Sequence, residues 1–528
     1  MKARKIISLL LVIALTLTLL AACAKKGGDQ GGNTDKPDTS GAPQTEEKYA
    51  DSIEIVIDNN PIANLDPIIP AAHAPATYWV LIMIHDRLLD FAGDGVFTPS
   101  LATKWETDDY KTYKLTLRDD VYFHNGEKFT ANDVVFTAYR SIEAVGSQAY
   151  GLWNPVDTIK AISDTEVEIV LKEVNVDFLF NLSRPMASIL NQKACEADVE
   201  KGPWVGTGAY KVADFLSSDH TTVVRNDDYW GTPGITREMT FRYVPETSTR
   251  TIMMQNRECQ ISFGVGNEDL SLFEEDPSFV VYPQYVNNPQ GFAFNMNDPI
   301  TGDLNFRLAF IYGIDREEIA IVARGDWAAA PTEGTLWGLK TEFRNSDIPV
   351  IPYDPDKAAE YLSKSSYNGQ TVEIAVGNPT NVLAAETIQR QLEKIGIKIE
   401  IKVMDPASLN AYNAYDNNQS QVSAPSMAFS LSAAAANNLF YPGGANNRAS
   451  YNNPEVTELL VQAKVEGDLG KREAIYKKVQ EIVAQDVPCV QLFWLVLGVV
   501  ATENVKNLDL PSDTYAVDLR GTYMVLED

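Results

Sequence analysis

Cysteine and histidine are scarce in this chain of 528 residues, with four of each, and cations are outnumbered, 44 Lys and Arg standing against 72 Asp and Glu. The formal charge of −28 argues against nucleic acid as a partner, because an acidic surface repels a phosphate backbone and has no basic excess to displace its counterions. Cys23, Cys195, Cys259 and Cys489 lie too far apart for metal-ligand spacing, and no two of His73, His85, His124 and His220 stand at helical ligand spacing, so no metal site is expected. Also missing are a Gly-x-Ser-x-Gly elbow, a His-Glu-x-x-His zinc site, a Walker A loop and a Cys-x-x-Cys pair. Among 72 carboxylates an acid pair for glycoside hydrolysis can always be imagined, so imagining one carries no weight. Neither enzymatic activity nor a cofactor is expected. What the chain does have is material for large cores, 45% hydrophobic and 10% aromatic residues, which excludes disorder for most of its length. At about 150 residues per domain, three domains are expected.

Residues 1–22 read as a targeting segment. Lys2, Arg4 and Lys5 precede an almost wholly apolar Ile6 to Leu20, and small residues follow. That apolar stretch is short for a bilayer span. It ends Leu20-Ala21-Ala22-Cys23, which resembles the lipobox of bacterial lipoproteins and implies lipidation of Cys23 after cleavage before it. An ordinary secretory signal with a chance cysteine is the alternative. From Ala24 to Ser52 there is no Val, Leu, Ile, Met, Phe or Trp, so residues 23–49 read as the lipidated cysteine and a flexible tether. Further on, Val490 to Val500 is too short to span a membrane and reads as a buried strand. The expectation is an acidic body outside the cell, anchored to the bacterial membrane through Cys23. The other three cysteines are read as buried free thiols, with at most one disulfide among them.

The body shows mixed α and β patterning. Ile53, Ile55 and Ile57 alternate with polar neighbours, as do Tyr113, Leu115 and Leu117, and Val167, Ile169 and Leu171. Thr130 and Asp133 stand at capping spacing before Val134, Val135, Ala138, Tyr139 and Ile142, which share a helical face. Later a strand from Thr371 to Val376, a helix from about Asn381 to Ile395, a stop at Gly396 and a strand from Ile397 to Val403 predict a parallel crossover. His124-Asn125-Gly126-Glu127 reads as a turn with a packed or hydrogen-bonding histidine. Gly206 and Gly208 lack the Lys-Ser/Thr end of a phosphate loop and read as glycines for tight turning.

Several ordered blocks carry a more specific signal. They include Asn64-Leu65-Asp66-Pro67, Pro99-Ser100-Leu101-Ala102, and the dense run from Leu117-Arg118-Asp119-Asp120 through His124-Asn125-Gly126-Glu127 to Asn132-Asp133-Val134. Further blocks are Gly206-Thr207-Gly208-Ala209-Tyr210, Arg225-Asn226-Asp227-Asp228-Tyr229-Trp230, Phe294-Asn295, Gly313-Ile314-Asp315-Arg316-Glu317 and Tyr451-Asn452-Asn453-Pro454. In this order and spacing the chain, from about Ile53 onward, resembles the family 5 extracytoplasmic solute-binding proteins of ABC transporters, the oligopeptide, dipeptide and nickel binders. The resemblance implies an α/β, two-lobed periplasmic-binding-protein-like fold with mixed sheets, a ligand cleft between the lobes and an extra inserted domain. It maps the first lobe to 50–90, 205–285 and 496–528, the inserted domain to 91–204 and the second lobe to 286–495. It implies a receptor that captures a peptide or similar small solute and delivers it to permease subunits, working as a monomer.

By position in that family, the ligand candidates are His73, Tyr78 and Trp79 after Asp66, Asn154 in the inserted domain, and Trp337, Ser430, Asn437, Asn438 and Tyr441 in the second lobe, all expected in loops. Peptide binders of the family carry an aspartate near Ala433 to Ala436 that pairs with the peptide's ammonium group. Here that stretch is uncharged, and from Pro406 to Asn447 the one charged side chain is Asp416. A buried ammonium needs an anion, so unless another carboxylate takes the role, a neutral or blocked ligand such as an oligosaccharide is the alternative. The asparagines and aromatics of this stretch suit sugar hydroxyls and ring faces, or else form a polar surface loop. Nickel or a metal chelate is a further alternative, and a lipid-anchored hydrolase is the rival from another class.

Overall fold

Alternating apolar residues become strands with one face in a core. The structure, a computed structural model, describes residues 48–58, 61–69, 74–424, 427, 429–511, 513–514 and 516–526. The targeting segment, Cys23, most of the tether and His73 lie outside the described residues. Strand Ser52–Ile57 buries Ile53, Ile55 and Ile57 to 2% exposure or less, and strands Thr112–Leu117 and Glu166–Leu171 bury their alternating residues in the same way. Helix Ala131–Glu143 starts where expected, the Asp133 carboxylate accepting from the backbone N–H and the hydroxyl of Thr130 at 3.0 and 3.1 Å.

The expected crossover is present: strands Thr371–Val376 and Lys398–Val403 pair in parallel, joined by helix Pro379–Glu393. The helix starts two residues before Asn381, because Asn378 accepts from the Asn381 N–H at 2.9 Å and Pro379 suits the first helical position. At its end the Ile397 N–H reaches Leu392 O and the Gly396 N–H reaches Glu393 O, both at 3.0 Å. This is the Schellman pattern, and it requires the left-handed φ of +89° that Gly396 supplies.

One mixed sheet, of eleven described strands, runs through both lobes. From one edge its order is 398–403, 371–376, 422–423, 279–294, 489–502, 261–263, 52–57, 238–243, 220–225 and 210–216, with 328–329 added beside 489–502. Strands Phe279–Phe294 and Cys489–Thr502 are antiparallel partners long enough to belong to both lobes, and the expected strand at Val490 to Val500 is part of this pair. Their register shifts between Tyr285 and Pro289, which divides a half packed on the first lobe from a half packed on the second. A separate antiparallel sheet of strands 102–106, 112–117, 166–171 and 156–163 forms the inserted domain with its own core around Tyr113, Trp153 and Phe178.

Gly208 lies in a bend as expected, and both Gly206 and Gly208, neither with a positive φ, also serve close approach. A Cβ on Gly206 would lie 1.8 Å from Ile84 O, and one on Gly208 2.4 Å from Met83 O. Cys195 and Cys259 are buried and Cys489 half-buried, all three unpaired. Among the described residues no helix is long and apolar enough to cross a membrane.

Candidate functional site

In open α/β sheets the space beyond the carboxyl ends of parallel strands is the natural crevice for a ligand. In the first lobe strand Ser52–Ile57 runs parallel to Glu238–Tyr243 and to Ile261–Phe263, so Asp58, Val244 and Gly264 leave the sheet on one side. Gly264 has φ +103°, and a Cβ there would lie 2.5 Å from the Cβ of Asp58, so glycine is required for the two strand ends to sit together. Arg250 gathers these ends, donating to the carbonyls of Val244, Pro245 and Gly264 at 2.7, 2.8 and 2.7 Å and to Thr247 Oγ1 at 3.0 Å. Burial raises the pKa of the Asp58 carboxyl, opposed by the neighbouring Arg250 guanidinium.

Asp58, Trp79, Arg250, Glu268, Gln284 and Thr514 line a cavity of about 390 Å³, which Arg324 of the second lobe also lines. Burial lowers the Arg324 pKa, opposed by the charge of Glu268. A shallower pocket of about 500 Å³ shares Asn267, Glu268 and Arg324 with it and extends to Pro379, Thr380 and Leu383. On the other side of Pro511, Asp513, Thr514 and Ala516 lies a cavity of about 840 Å³. Phe91 and Asp94 of the inserted domain line it, with Lys340, Arg344 and Leu431 of the second lobe and Asp513 of the first. The intervening segment is tied down by Trp79 Nε1–H to Thr514 O at 2.7 Å, Gln284 Nε2–H to Pro511 O at 2.8 Å and an Arg184–Asp513 ion pair at 3.1 Å.

The register shift in the crossing strands has a role here. It presents Asn287 and Asn288 to the second lobe, where Asn287 Nδ2 donates to Phe429 O and Thr341 Oγ1 at 3.2 Å and its Oδ1 accepts from the Lys340 N–H at 2.7 Å. Asn288 Oδ1 accepts from the Phe429 N–H at 2.9 Å, and Thr341 Oγ1 donates to Ser430 O at 2.7 Å. The strands that connect the lobes therefore also hold the loop that faces the crevice.

The predicted ligand residues separate. Tyr78 and Trp79 are not in a loop: both lie in helix Pro75–Ile84, in which every residue after Pro75 is buried. Apolar on all sides, such a helix belongs in a core, and Trp79 reaches the 390 Å³ cavity from that core. The Tyr78 hydroxyl donates to Gln148 of the inserted domain. Trp337 is fully buried among Phe429, Phe440 and Tyr476, and its indole N–H donates to Glu342 O at 2.9 Å, so it supports the loop from beneath. Asn154 ends a short helix and accepts from Lys172 Nζ at 3.0 Å, and it lines none of these cavities. Ser430 sits in the loop, donating to Ser432 O at 3.2 Å. Asn437 and Asn438 are in helix Ala436–Phe440 rather than a loop, Asn437 donating to Ala434 O at 3.1 Å, and Tyr441 follows that helix, 37% exposed.

The uncharged stretch is not uncharged in space. Glu342, 4% exposed, accepts from the Ala433 N–H at 3.1 Å, while its own N–H donates to Leu431 O at 2.8 Å. Burial raises the Glu342 pKa, opposed by the Ala433 N–H and by the guanidinium of Arg472. Asp177 of the inserted domain accepts from Ser432 Oγ at 3.4 Å. Sequence reasoning missed both carboxylates, along with Asp58, Arg250 and Arg324, because each approaches from a distant segment. His124 is the hydrogen-bonding residue expected, its Nε2 lying 3.0 Å from Gly208 O. Among the described residues no group of three His, Cys, Asp or Glu side chains is placed to hold a metal ion.

Two lobes joined by a pair of continuous strands, with a crevice between them and a domain inserted in the first, define the solute-receptor class of periplasmic-binding-protein folds. The model of the bacterial extracellular solute-binding proteins, family 5, matches residues 96–454, and the chain belongs to that family. It is 26% identical over 375 residues to the nickel-binding periplasmic protein of Escherichia coli (strain K12), a match covering 66% of this chain and 71% of that one. It is 27% identical over 420 residues to the glutathione-binding protein GsiB of the same strain, covering 76% and 80%. The fold is also that of the periplasmic binding protein DppA from Helicobacter pylori, solved with the peptide STSA, at a TM-score of 0.70 and 23% identity over 91% of this chain and 99% of that one.

Proposed function

We propose that this protein is the capture component of an ABC importer: a monomeric lipoprotein, anchored through Cys23, that takes up a short peptide and hands it to permease subunits. One observation carries the choice of solute. The crevice between the lobes is lined by fixed charges of both signs, Asp58, Glu268 and Asp94 against Arg250, Arg324 and Lys340, with Trp79 at one wall. Charges of both signs match a zwitterion, whose ammonium and carboxylate each meet an opposite charge in the crevice, whereas a neutral oligosaccharide offers them none. The relatives whose names specify glutathione and a bound tetrapeptide point the same way. The side chains that touch solute are then those lining the crevice, with Trp79 kept from the sequence reading, Ser430 one residue from the lining Leu431 and Trp337 beneath the loop. The register shift at Tyr285 to Pro289 supports lobe boundaries near residues 285 and 496, with 91–204 as the inserted domain. A receptor releases its solute unchanged, so no enzymatic turnover is expected.

Thermal unfolding of the soluble form, begun after Cys23, tests this against short peptides, their N-acetylated forms, oligosaccharides, Ni²⁺ and metal chelates. A solute that binds only the folded state raises the midpoint. Free peptides are expected to do so and their acetylated forms to do so less. A response to oligosaccharides or nickel alone would replace the peptide reading, and a chemically altered peptide after incubation would replace the receptor reading.

A further inference from the structure

The inserted domain touches the second lobe along a seam that the chain never crosses. Glycines let the backbones approach: a Cβ on Gly95 would lie 2.9 Å from Leu469 Cδ2, and one on Gly467 2.1 Å from the Tyr110 ring. The Tyr110 hydroxyl donates to Gly467 O at 3.2 Å. At the centre of the seam the Arg472 guanidinium of the second lobe donates to the Asp177 carboxylate of the inserted domain. Both side chains are largely buried, at 6% and 15% exposure. Arg472 also donates to Ala463 O at 3.2 Å and lies 5.8 and 5.5 Å from the ring centres of Phe343 and Tyr476. The same Asp177 oxygen accepts from Ser432, and Glu342 holds the next residue, Ala433, from behind.

We propose that Asp177 is a positioning residue of the solute site, latching the inserted domain onto the second lobe through Arg472 and fixing the Ser430–Ala433 loop through Ser432. A buried ion pair across a seam has two states. Docked, each charge is neutralised by the other; separated, both regain water, and intermediate spacings strand a desolvated charge. Such an element biases the lobes toward discrete arrangements. Solute capture then depends on a domain that supplies few of the crevice walls. The effect on capture rests on the crevice being the solute site, whereas the latch itself does not.

The test compares the wild type with Asp177→Asn, Arg472→Gln and the double variant, without solute, by hydrogen exchange and small-angle scattering. In Asp177→Asn, amides of 173–177, 430–434 and 464–472 are expected to exchange faster and the radius of gyration to grow, while strand Thr371–Val376 keeps its protection. The double variant removes both charges and is expected to unfold at higher denaturant than Arg472→Gln, which leaves Asp177 unpaired. Binding of the peptide Ser-Thr-Ser-Ala and of glutathione is then measured by calorimetry. If latching sets the competent population, affinity for whichever binds falls about tenfold in Asp177→Asn. Unchanged exchange at all three segments with an unchanged radius of gyration overturns the latch. A loosened seam with affinity intact overturns the positioning role, and failure of both probes to bind wild type counts against the peptide reading while leaving the latch decided by exchange and scattering.

Discussion

The inserted domain has two seams, and they are built differently. Toward the first lobe the chain crosses twice, near residues 86 and 206, and the crossings are bound to each other. Asp86, 3% exposed, accepts from Thr207 Oγ1 at 2.9 Å, Tyr229 OH at 2.9 Å and Trp230 Nε1 at 2.8 Å. His124 links the seam to Gly206 and Gly208, Arg140 grips Asp66 through two bonds of 2.7 and 2.6 Å, and Arg118 lies 4.4 Å over the Trp230 ring. Toward the second lobe, among the described residues, there is no strand pairing, and one buried ion pair is supplemented by a few hydrogen bonds. The difference teaches that the inserted domain is built into the first lobe and only docked against the second. A receptor that opens and closes needs one seam of each kind.

The contrast breaks most visibly at Asp86. Asp86→Ala leaves three donors without an acceptor, Thr207 buried and Tyr229 and Trp230 half-buried, and a loss of about 3–5 kcal/mol is expected from about 1–3 kcal/mol per orphaned donor. Equilibrium urea unfolding checks it, and a loss under about 1 kcal/mol would show that the network is replaceable by water. Gly206→Ala comes next. Its Cβ would lie 1.8 Å from a backbone oxygen that cannot rotate away, so a loss of about 1–3 kcal/mol is expected on the same measurement.

The first seam also carries the pH dependence. Burial pushes the pKa of His85 down to about 3 and that of His124 down to about 4. In the unfolded chain both titrate near 6.5. Between that value and the folded pKa the unfolded state binds protons that the folded state refuses, so stability rises with pH. The contribution is complete above pH 6.5 and is lost as pH falls from there toward 4 for His124 and toward 3 for His85. At pH 4.5 each group is expected to cost about 2.5 kcal/mol, about 5 kcal/mol together. Asp58, Asp133 and Glu342, whose pKa values burial raises, work in the opposite direction at lower pH. Urea midpoints of wild type and His124→Gln at pH 7.5 and 4.5 isolate the histidine. The variant should lose less on acidification, and equal losses would place the acid sensitivity elsewhere.

Much of the fold was legible in the sequence because its signals are local. Period-two runs such as Ile53, Ile55 and Ile57 gave strands, and the Gly396 stop gave the end of a helix, whereas its Asn378-Pro379 start, upstream of the expected Asn381, was missed. The site was less legible. Helix Pro75–Ile84 is apolar on every side, so no periodicity marked it, and Tyr78 and Trp79 passed as loop residues; Pro75 followed by nine uncharged residues was the available clue. Trp337 alone has no direction in sequence, and in space it points into a core. The carboxylates missing near Ala433 arrive from Glu342 and Asp177, and Arg472 lies 295 residues from the aspartate it grips. No spacing rule reaches that far. What the sequence did carry was a local deficit of charge, and the structure fills that deficit from outside.

The smallest expected effect sharpens the comparison. Lys464 and Glu173 also pair across the second seam, at 3.5 Å, but with side chains 51% and 79% exposed. Lys464→Ala is expected to change stability by less than about 0.5 kcal/mol, because an exposed pair gives up little water and is screened by salt. Exchange of the 464–472 and 173–177 amides should match wild type, in contrast to Asp177→Asn. If Lys464→Ala loosened the seam as much as Asp177→Asn, attraction between the two surfaces would be holding the docked state, and raising the salt concentration would loosen the wild type too. If the seam instead ignores both salt and Lys464 but yields to Asp177→Asn, docking depends on the pair that is out of water, and the second lobe releases the inserted domain only when that pair parts.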